Sequence, residues 1–499
     1  MILVTDTTKL HDEAGIPVYG NYIAGEWKAS FSGETFENRN PSNPSEVIGQ
    51  FAASDATDVD AAIGAAHDAF AGWAGTSAIA RANILYKASE ILANRLQDVA
   101  RDLTREEGKT LKEAIGETSR AIAILRYYAG EIQQPDGEHY PSANINTFLF
   151  TIREPIGVCA LITPWNFPIA IPAWKLVPAI AFGNTVVLKP ASFTPLCTVH
   201  LTSALADAGL PAGVLNLVTG SASKIGDPLV KDERVAAISF TGSDTVGHGI
   251  KKIASDRGAK IQLELGGKNP AIVLADADID QAITQVVNGA MMSTGQKCTA
   301  TSRAIIDRKV VAELTEKLGE RISSLKVGDP LHDGTNIGPL ISDEAATKVT
   351  DEITRSTSDG VQLVAGGKRL DINGGYFVEP TLFANVESDS RLGQDELFGP
   401  VLGIIPVDGI DEALAVANNV RYGLSASIFT RDIGKALKFV NGIHAGIVHV
   451  NSETAGAEPQ VPFGGYKGSS SYSREQGKSA REFYTQIKTV YFDPPPAID

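Results

Sequence analysis

Val158-Cys159-Ala160-Leu161-Ile162 is followed by Thr163-Pro164-Trp165-Asn166-Phe167-Pro168, then by an apolar stretch at 169–181 and a second short run, Thr185-Val186-Val187-Leu188. The two short runs are β-formers bounded by turn residues, and the piece between them has helical length. Strand, helix, strand in that order implies a parallel sheet covered on both faces. The rhythm continues with a predicted helix at 194–208 and a strand at 214–218. A second α/β region runs from about 271 to 461. Residues 156–188 are apolar enough to suggest a membrane span, but Pro164, Asn166, Pro168, Pro172, Lys175 and Pro178 interrupt them, so they read as buried core with turns.

Outward from this centre, the N-terminal third reads as helical after a strand-like opening at 22–27. Helices are expected at 55–73, at 77–107 up to a stop at Gly108, and at 109–132. Residues 144–151 and 484–492 read as further strands, the second ending before Pro494-Pro495-Pro496.

The chain has 499 residues, 43% hydrophobic and 21% charged, which fits two or three ordinary globular domains. A net charge of −15 excludes a phosphate-backbone binder and an anionic membrane surface as partners. Three cysteines without a C-x-x-C form no disulfide framework or zinc site, and eight histidines show no ligand spacing, so no metal is expected. Cys159 and Cys197 read as packing residues. Residues 1–10 lack a leader pattern, and cysteine usage fits a reducing cytoplasm.

Cys298 stands apart, in the polar stretch Gly295-Gln296-Lys297-Cys298-Thr299, where reactive cysteines are found. Glu264, before Leu265-Gly266-Gly267, is a candidate base if burial raises its pKa, and otherwise a surface ion-pair partner. Asn166 lies beyond a strand's C-terminal end, where open α/β sheets bind ligands. Its amide can donate to an oxyanion or merely organise its turn. Lys189 and Ser192, after the next strand, suit a ribose or phosphate, or a solvated loop. Gly242-Ser243 with Gly247 opens a helix whose N-terminus favours an anion, a weak pattern by itself.

Thr163–Pro168, Lys189–Ser192, Phe240–Ser243, Glu264–Pro270, Gly295–Cys298, Glu396–Val401 and Pro462–Gly468 occur in this order. That series resembles the NAD(P)-dependent aldehyde dehydrogenase superfamily over essentially the whole chain. The resemblance implies two Rossmann-type parallel-sheet domains and a β oligomerisation arm. The cofactor domain would take 1–138 and 157–265, the catalytic domain 266–470, and the arm 139–156 and 480–499. Cys298 would be the nucleophile, Glu264 the general base, Asn166 with the Cys298 N–H the oxyanion hole, and Glu475 an assisting carboxylate. Lys189, Ser192, Ser243, Glu396 and Phe398 would bind cofactor, beside Ile162, Thr163, Pro164, Trp165, Gly226, Gly242, Leu265 and Gly266.

The same resemblance implies an aldehyde oxidised to its acid through a cysteine thiohemiacetal and thioester. Coenzyme A-dependent relatives lack the base, so Glu264 favours hydrolysis. Relatives preferring NAD often carry glutamate at the position of Ser192; its absence favours NADP, with NAD possible. The stretches 295–303, 169–175 and 471–477 are similar to the 2,5-dioxopentanoate (α-ketoglutaric semialdehyde) dehydrogenases. Trp174 replaces an arginine of many succinate-semialdehyde enzymes and leaves the anionic anchor unassigned. Succinate semialdehyde, vanillin-type aldehydes and a broad range stay open as alternatives, and a non-catalytic relative is disfavoured by the intact residue set. A homodimer or homotetramer is expected.

Overall fold

A computed structural model describes residues 9–11 and 15–495. Residues 1–8, on which most of the leader reading rests, and Pro496 lie outside the described residues. Two seven-stranded sheets organise the chain. In the first, Lys260–Glu264, Val235–Thr241, Val158–Ile162, Thr185–Lys189 and Leu215–Leu217 lie side by side and parallel, and Asn21–Ile23 and Glu26–Lys28 complete the edge antiparallel. Val158–Ile162 is central and buried along its length, as an apolar run without alternation requires. Val186, Val187 and Leu188 beside it are fully buried, each contributing roughly 1.5–3 kcal/mol of apolar burial.

Strand order reverses between Val158–Ile162 and Val235–Thr241, because the chain steps first to Thr185–Lys189 on one side and returns later on the other. Such a switch point opens a crevice at the strands' C-terminal ends. The Asn166 loop and Gly242-Ser243 leave from those two ends. The second sheet runs Gln362–Ala365, Thr381–Ala384, Val401–Val407, Thr301–Asp307, Asn269–Val273, Ser425–Phe429, Ile447–Val450, parallel except at its first pair. Thr485–Phe492 pairs antiparallel with Phe148–Pro155, which pairs with His139–Tyr140. Ile152, Ile487, Tyr491 and Phe492 of this ribbon are exposed. Among the described residues no helix is long and apolar enough to cross a membrane.

The expected α/β class holds, with four local corrections. The helix expected at 77–107 is two, Ala78–Asn94 and Leu96–Glu107. Arg95 leaves helical geometry at the break, where its guanidinium pairs with Asp207 at 2.7 Å. The next helix starts at Leu111 rather than 109, because Thr110 and Glu113 form a capping box. The strand expected from 144 begins at Phe148, since the Asn144 side chain and carbonyl bond Asn146 N and Thr147 N into a turn. The N-terminal third also holds Thr35–Asn40 paired with Asn43–Ala52, strands whose polar sequences hide them.

Candidate active site

The loop after Val158–Ile162 is fastened from below. Lys109, fully enclosed, donates to the backbone carbonyl of Asn166 at 2.7 Å and to Glu117 at 2.6 Å, and its ammonium lies 4.0 Å from the Phe167 ring centroid. The other Glu117 oxygen accepts from Ile169 N and Ala170 N, neutralising the start of the helix Ala170–Ala181. Burial pushes the neighbouring Glu107 carboxyl up to about 8, against the opposing pull of Lys109. The Asn166 amide donates one N–H to the carbonyl of Gln296 at 3.0 Å, tying its loop to the one that carries Cys298. An amide has a second N–H to offer.

Ser293, Thr294 and Gly295 before Cys298 all have positive φ, 53°, 55° and 67°. Two non-glycine residues in succession there store strain, on the order of 1–3 kcal/mol each. The Glu113 carboxylate accepts from Ser293 N at 2.6 Å, and Thr294 Oγ1 donates to the Gly338 carbonyl. A Cβ on Gly295 would lie 2.2 Å from the Gly399 oxygen, so only glycine fits. Past the thiol, Asn269 Nδ2 donates to the carbonyls of Cys298 and Ala300 at 2.8 and 2.9 Å. Cys298 is half-buried, whereas Cys159 and Cys197 are fully buried as expected of packing residues. Burial, then the carboxyls of Glu264, Glu396 and Glu475, push the Cys298 thiol up, and the Thr299 N–H acts in the opposite sense. The resting sulfur is therefore protonated at neutral pH.

Glu264 is 2% exposed, which removes the surface ion-pair reading. Its Oε2 accepts from Ser470 Oγ at 2.7 Å, and its Oε1 has no partner among the described residues. Burial and then the charge of Glu475 hold its pKa well above the carboxylate range. A proton acceptor with a free oxygen and a raised pKa suits general-base work. Glu475 itself is paired with Lys175 Nζ, which also donates to Ser239 Oγ at 2.8 Å, and the single Ser239 hydroxyl proton faces Gln262 Oε1 at 3.0 Å and Glu475 Oε1 at 3.3 Å.

Trp165 meets Phe398 edge-on at 5.4 Å, and Phe398 has φ 57°. Glu396 Oε1 accepts from Gly267 N at 3.0 Å, and burial raises this carboxyl to about 7. A Cβ on Gly266 would sit 2.5 Å from Glu396, and one on Gly267 2.3 Å from the Cys298 carbonyl. These two glycines thus let the segments bearing Glu264, Cys298 and Glu396 meet. Gly242 and Gly247 are also kept small by packing, against Phe240 and Leu265. Gly226, inside the helix Ala222–Lys231, faces open space, and Leu265 N donates to Ser469 O. Ile162 and Thr163 are buried at the strand's end, with Pro164 just beyond them.

Polar groups of the kind a dinucleotide needs lie at the C-terminal ends of the first sheet's strands. Lys189 is nearly enclosed, among the described residues donates only to the Pro190 carbonyl, and is lowered to about 8 by burial alone. A cation without a carboxylate is suited to an anion or a ribose. Ser192 Oγ donates to Gly220 O at 2.9 Å and introduces no negative charge beside it. Ser243 sits at the N-cap of Asp244–Asp256 and makes no side-chain cap bond among the described residues, at a helix N-terminus of the kind that favours an anion. Among the described residues no cluster of histidine, cysteine or carboxylate side chains is arranged to hold a metal ion.

Beside Cys298 opens a cavity of about 560 Å³ lined by Arg120, Phe167, Trp174, Lys297, Glu453 and Phe463 among others. Lys109, Glu117, Ser470, Ser239, Asn269 and Arg120 carry no local signal of a role at the site; Lys175 is marked only as a charge inside the apolar run 156–188.

The aldehyde dehydrogenase family model matches residues 27–490. The chain is 47% identical over 480 residues to an alpha-ketoglutaric semialdehyde dehydrogenase of Bacillus subtilis, covering 95% of this chain and 98% of that one. It is 42% identical to a 2,5-dioxopentanoate dehydrogenase of Saccharolobus solfataricus, over 94% and 98% of the two chains. A crystal structure of betaine aldehyde dehydrogenase from Staphylococcus aureus in complex with NAD+ superposes with a TM-score of 0.93 at 34% identity, covering 96% of each chain. With its two parallel sheets and its thiol at the mouth of a cavity, the chain belongs to the aldehyde dehydrogenase family.

Proposed function

We propose that the enzyme oxidises 2,5-dioxopentanoate to 2-oxoglutarate, with NADP preferred over NAD. The observation that carries the substrate is near full-length identity of 42–47% to three relatives bearing that specificity in their names. Lys189 and Ser192 support the cofactor preference, since a buried lysine without a nearby carboxylate tolerates a 2′-phosphate that a glutamate would repel.

Cys298 Sγ gives its proton to solvent in the open cavity and attacks the aldehyde carbon, leaving a tetrahedral oxyanion. The free N–H of Asn166 and the Cys298 backbone N–H stabilise that charge. Hydride leaves this carbon as the Cys298 thioester forms, and a bound nicotinamide would supply its acceptor. Glu264 then takes a proton from water, and the resulting attack on the Cys298 thioester releases the acid. Ser470 orients the Glu264 carboxyl, while Glu475 and Lys175 set its electrostatic surroundings. Lys189, Ser192, Ser243, Glu396 and Phe398 hold the cofactor, with Ile162, Thr163, Pro164, Trp165, Gly226, Gly242, Leu265 and Gly266 shaping the crevice.

By this reading residues 1–138 with 157–265 form the cofactor domain, 266–470 the catalytic domain, and 139–156 with 480–499 an arm. The arm's ribbon presents an unpaired edge at Thr485–Phe492 with exposed Tyr491 and Phe492. An edge of that kind pairs with another chain, here a second copy, giving a homo-oligomer whose molar mass light scattering reads. Steady-state kinetics test substrate and cofactor together. The expected result is a kcat/KM for 2,5-dioxopentanoate above those for succinate semialdehyde and benzaldehyde, and larger with NADP than with NAD. No detectable turnover of 2,5-dioxopentanoate would end the substrate assignment, and a tenfold advantage for NAD would end the cofactor assignment.

A further inference from the structure

Resting on that substrate reading, we propose that Arg120 anchors the distal carboxylate of the aldehyde, with the Trp174 indole N–H as a second donor. A keto-acid aldehyde carries a negative charge at the end remote from the reacting carbon. A cavity that selects it needs a cation in its wall that is not already spent on a protein carboxylate.

The charged side chains lining the cavity narrow the choice. Glu117 is consumed by Lys109 and by the two N–H groups at the start of Ala170–Ala181. Glu113 is consumed by its capping box with Thr110 and by Ser293 N. Lys297 donates to the Asn288 carbonyl at 3.2 Å and lies 3.8 Å from Glu453, so its charge is already opposed. Lys112 is exposed to solvent.

Arg120 is different. It is half-buried, its guanidinium bonds the Ala457 carbonyl, and no carboxylate among the described residues lies within ion-pair distance of it. Glu117 and Glu458 act on it only from further away. One N–H direction is used, and the planar fork keeps others for bidentate contact with a carboxylate.

Trp174 supplies the second, independent observation. The side chain is 6% exposed, its ring lies tilted against Phe463 at 5.2 Å, and its Nε1–H is buried without an acceptor among the described residues. A buried donor left unpaired is costly in the free enzyme. A carboxylate or keto oxygen arriving in the cavity would satisfy it. The indole and the Phe463 ring meanwhile enclose the aliphatic part of the substrate. This places the charge-selecting group on the helix Leu111–Glu131, at a position where sequence reading named no anchor.

The test compares kcat/KM for 2,5-dioxopentanoate with that for pentanal, an uncharged aldehyde of equal chain length, in wild type, Arg120→Met and Arg120→Lys. The discrimination ratio should fall about thirtyfold or more in Arg120→Met, mainly through KM. Arg120→Lys should recover part of it, by keeping the charge while losing the fork. Glutarate, which has the carboxylate but no aldehyde, should inhibit wild type competitively and Arg120→Met at least tenfold more weakly.

A wild-type enzyme without preference for 2,5-dioxopentanoate over pentanal would overturn the substrate reading itself. A clear wild-type preference that survives in Arg120→Met, with unchanged glutarate inhibition, would overturn the anchor alone. Parallel loss on both aldehydes with unchanged glutarate inhibition would also overturn it, by assigning Arg120 to the support of Ala457.

Discussion

Cys298→Ala should lose aldehyde-dependent NADPH formation by at least about 10⁴-fold while still binding cofactor, as measured by absorbance at saturating substrate and by calorimetric titration. No other sulfur can take over. Cys159 and Cys197 are fully buried, and burial raises both thiols, the second further because Glu106 lies beside it. The substitution removes one small half-buried atom and leaves Asn269, Asn166 and Glu113, which hold the loop, in place. The cofactor contacts proposed for Lys189, Ser243 and Glu396 are untouched, so unchanged cofactor affinity separates chemistry from folding. Alkylation gives a second reading. Because burial and three carboxyls raise the Cys298 thiol, its thiolate fraction and its rate with iodoacetamide should increase as pH rises. Residual turnover above one part in a hundred, or equal labelling of all three cysteines, would remove Cys298 from the nucleophile's role.

Why the sequence shows Cys298 and Asn166 but hides their supports follows from how each is specified. The Val158–Ile162 strand and the turn after it are encoded by neighbouring residues, so the period of apolar residues and the prolines display them locally. Lys175 and Glu475 are 300 positions apart, and Ser470 reaches Glu264 across 206. No local pattern marks such pairs, because only the folded sheet brings them together. The break at Arg95 is of the same kind: it coincides with a contact between Arg95 and Asp207 112 residues away, which no local pattern marks. Thr35–Asn40 and Asn43–Ala52 escape for the opposite reason: polar residues, a proline and a glycine within the strands conceal their alternation.

The left-handed turn at Ser293 and Thr294 shows the same division at the reacting atom. Glycine at 295 advertises a positive φ, but serine and threonine do not. Their conformation is imposed by Glu113 from a helix 180 positions away and by the Gly338 carbonyl. Strain held by tertiary contacts is legible only from the structure, and here it shapes the loop that carries the thiol.

Glu264→Gln should separate the two halves of the reaction. Attack by Cys298 and loss of hydride do not need a base for water, so the variant should release one equivalent of NADPH per site and then slow by about 10²–10⁴-fold. Rapid mixing should record this burst, and intact-mass measurement should find the acyl group on Cys298. The pH dependence has a definite sign. Burial and the Glu475 charge raise the Glu264 pKa, so the carboxyl is protonated and inactive as a base at low pH. In wild type, kcat should rise with pH through that pKa wherever thioester hydrolysis limits turnover, and in Glu264→Gln this limb should vanish. Glu475→Gln removes a like charge and leaves the Lys175 cation less opposed, and both changes lower the Glu264 pKa. Its limb should therefore move to lower pH, the reverse of what simple loss of a proton relay would give. A Glu264→Gln enzyme that turns over many equivalents, without burst or acyl adduct, would show that water is activated elsewhere.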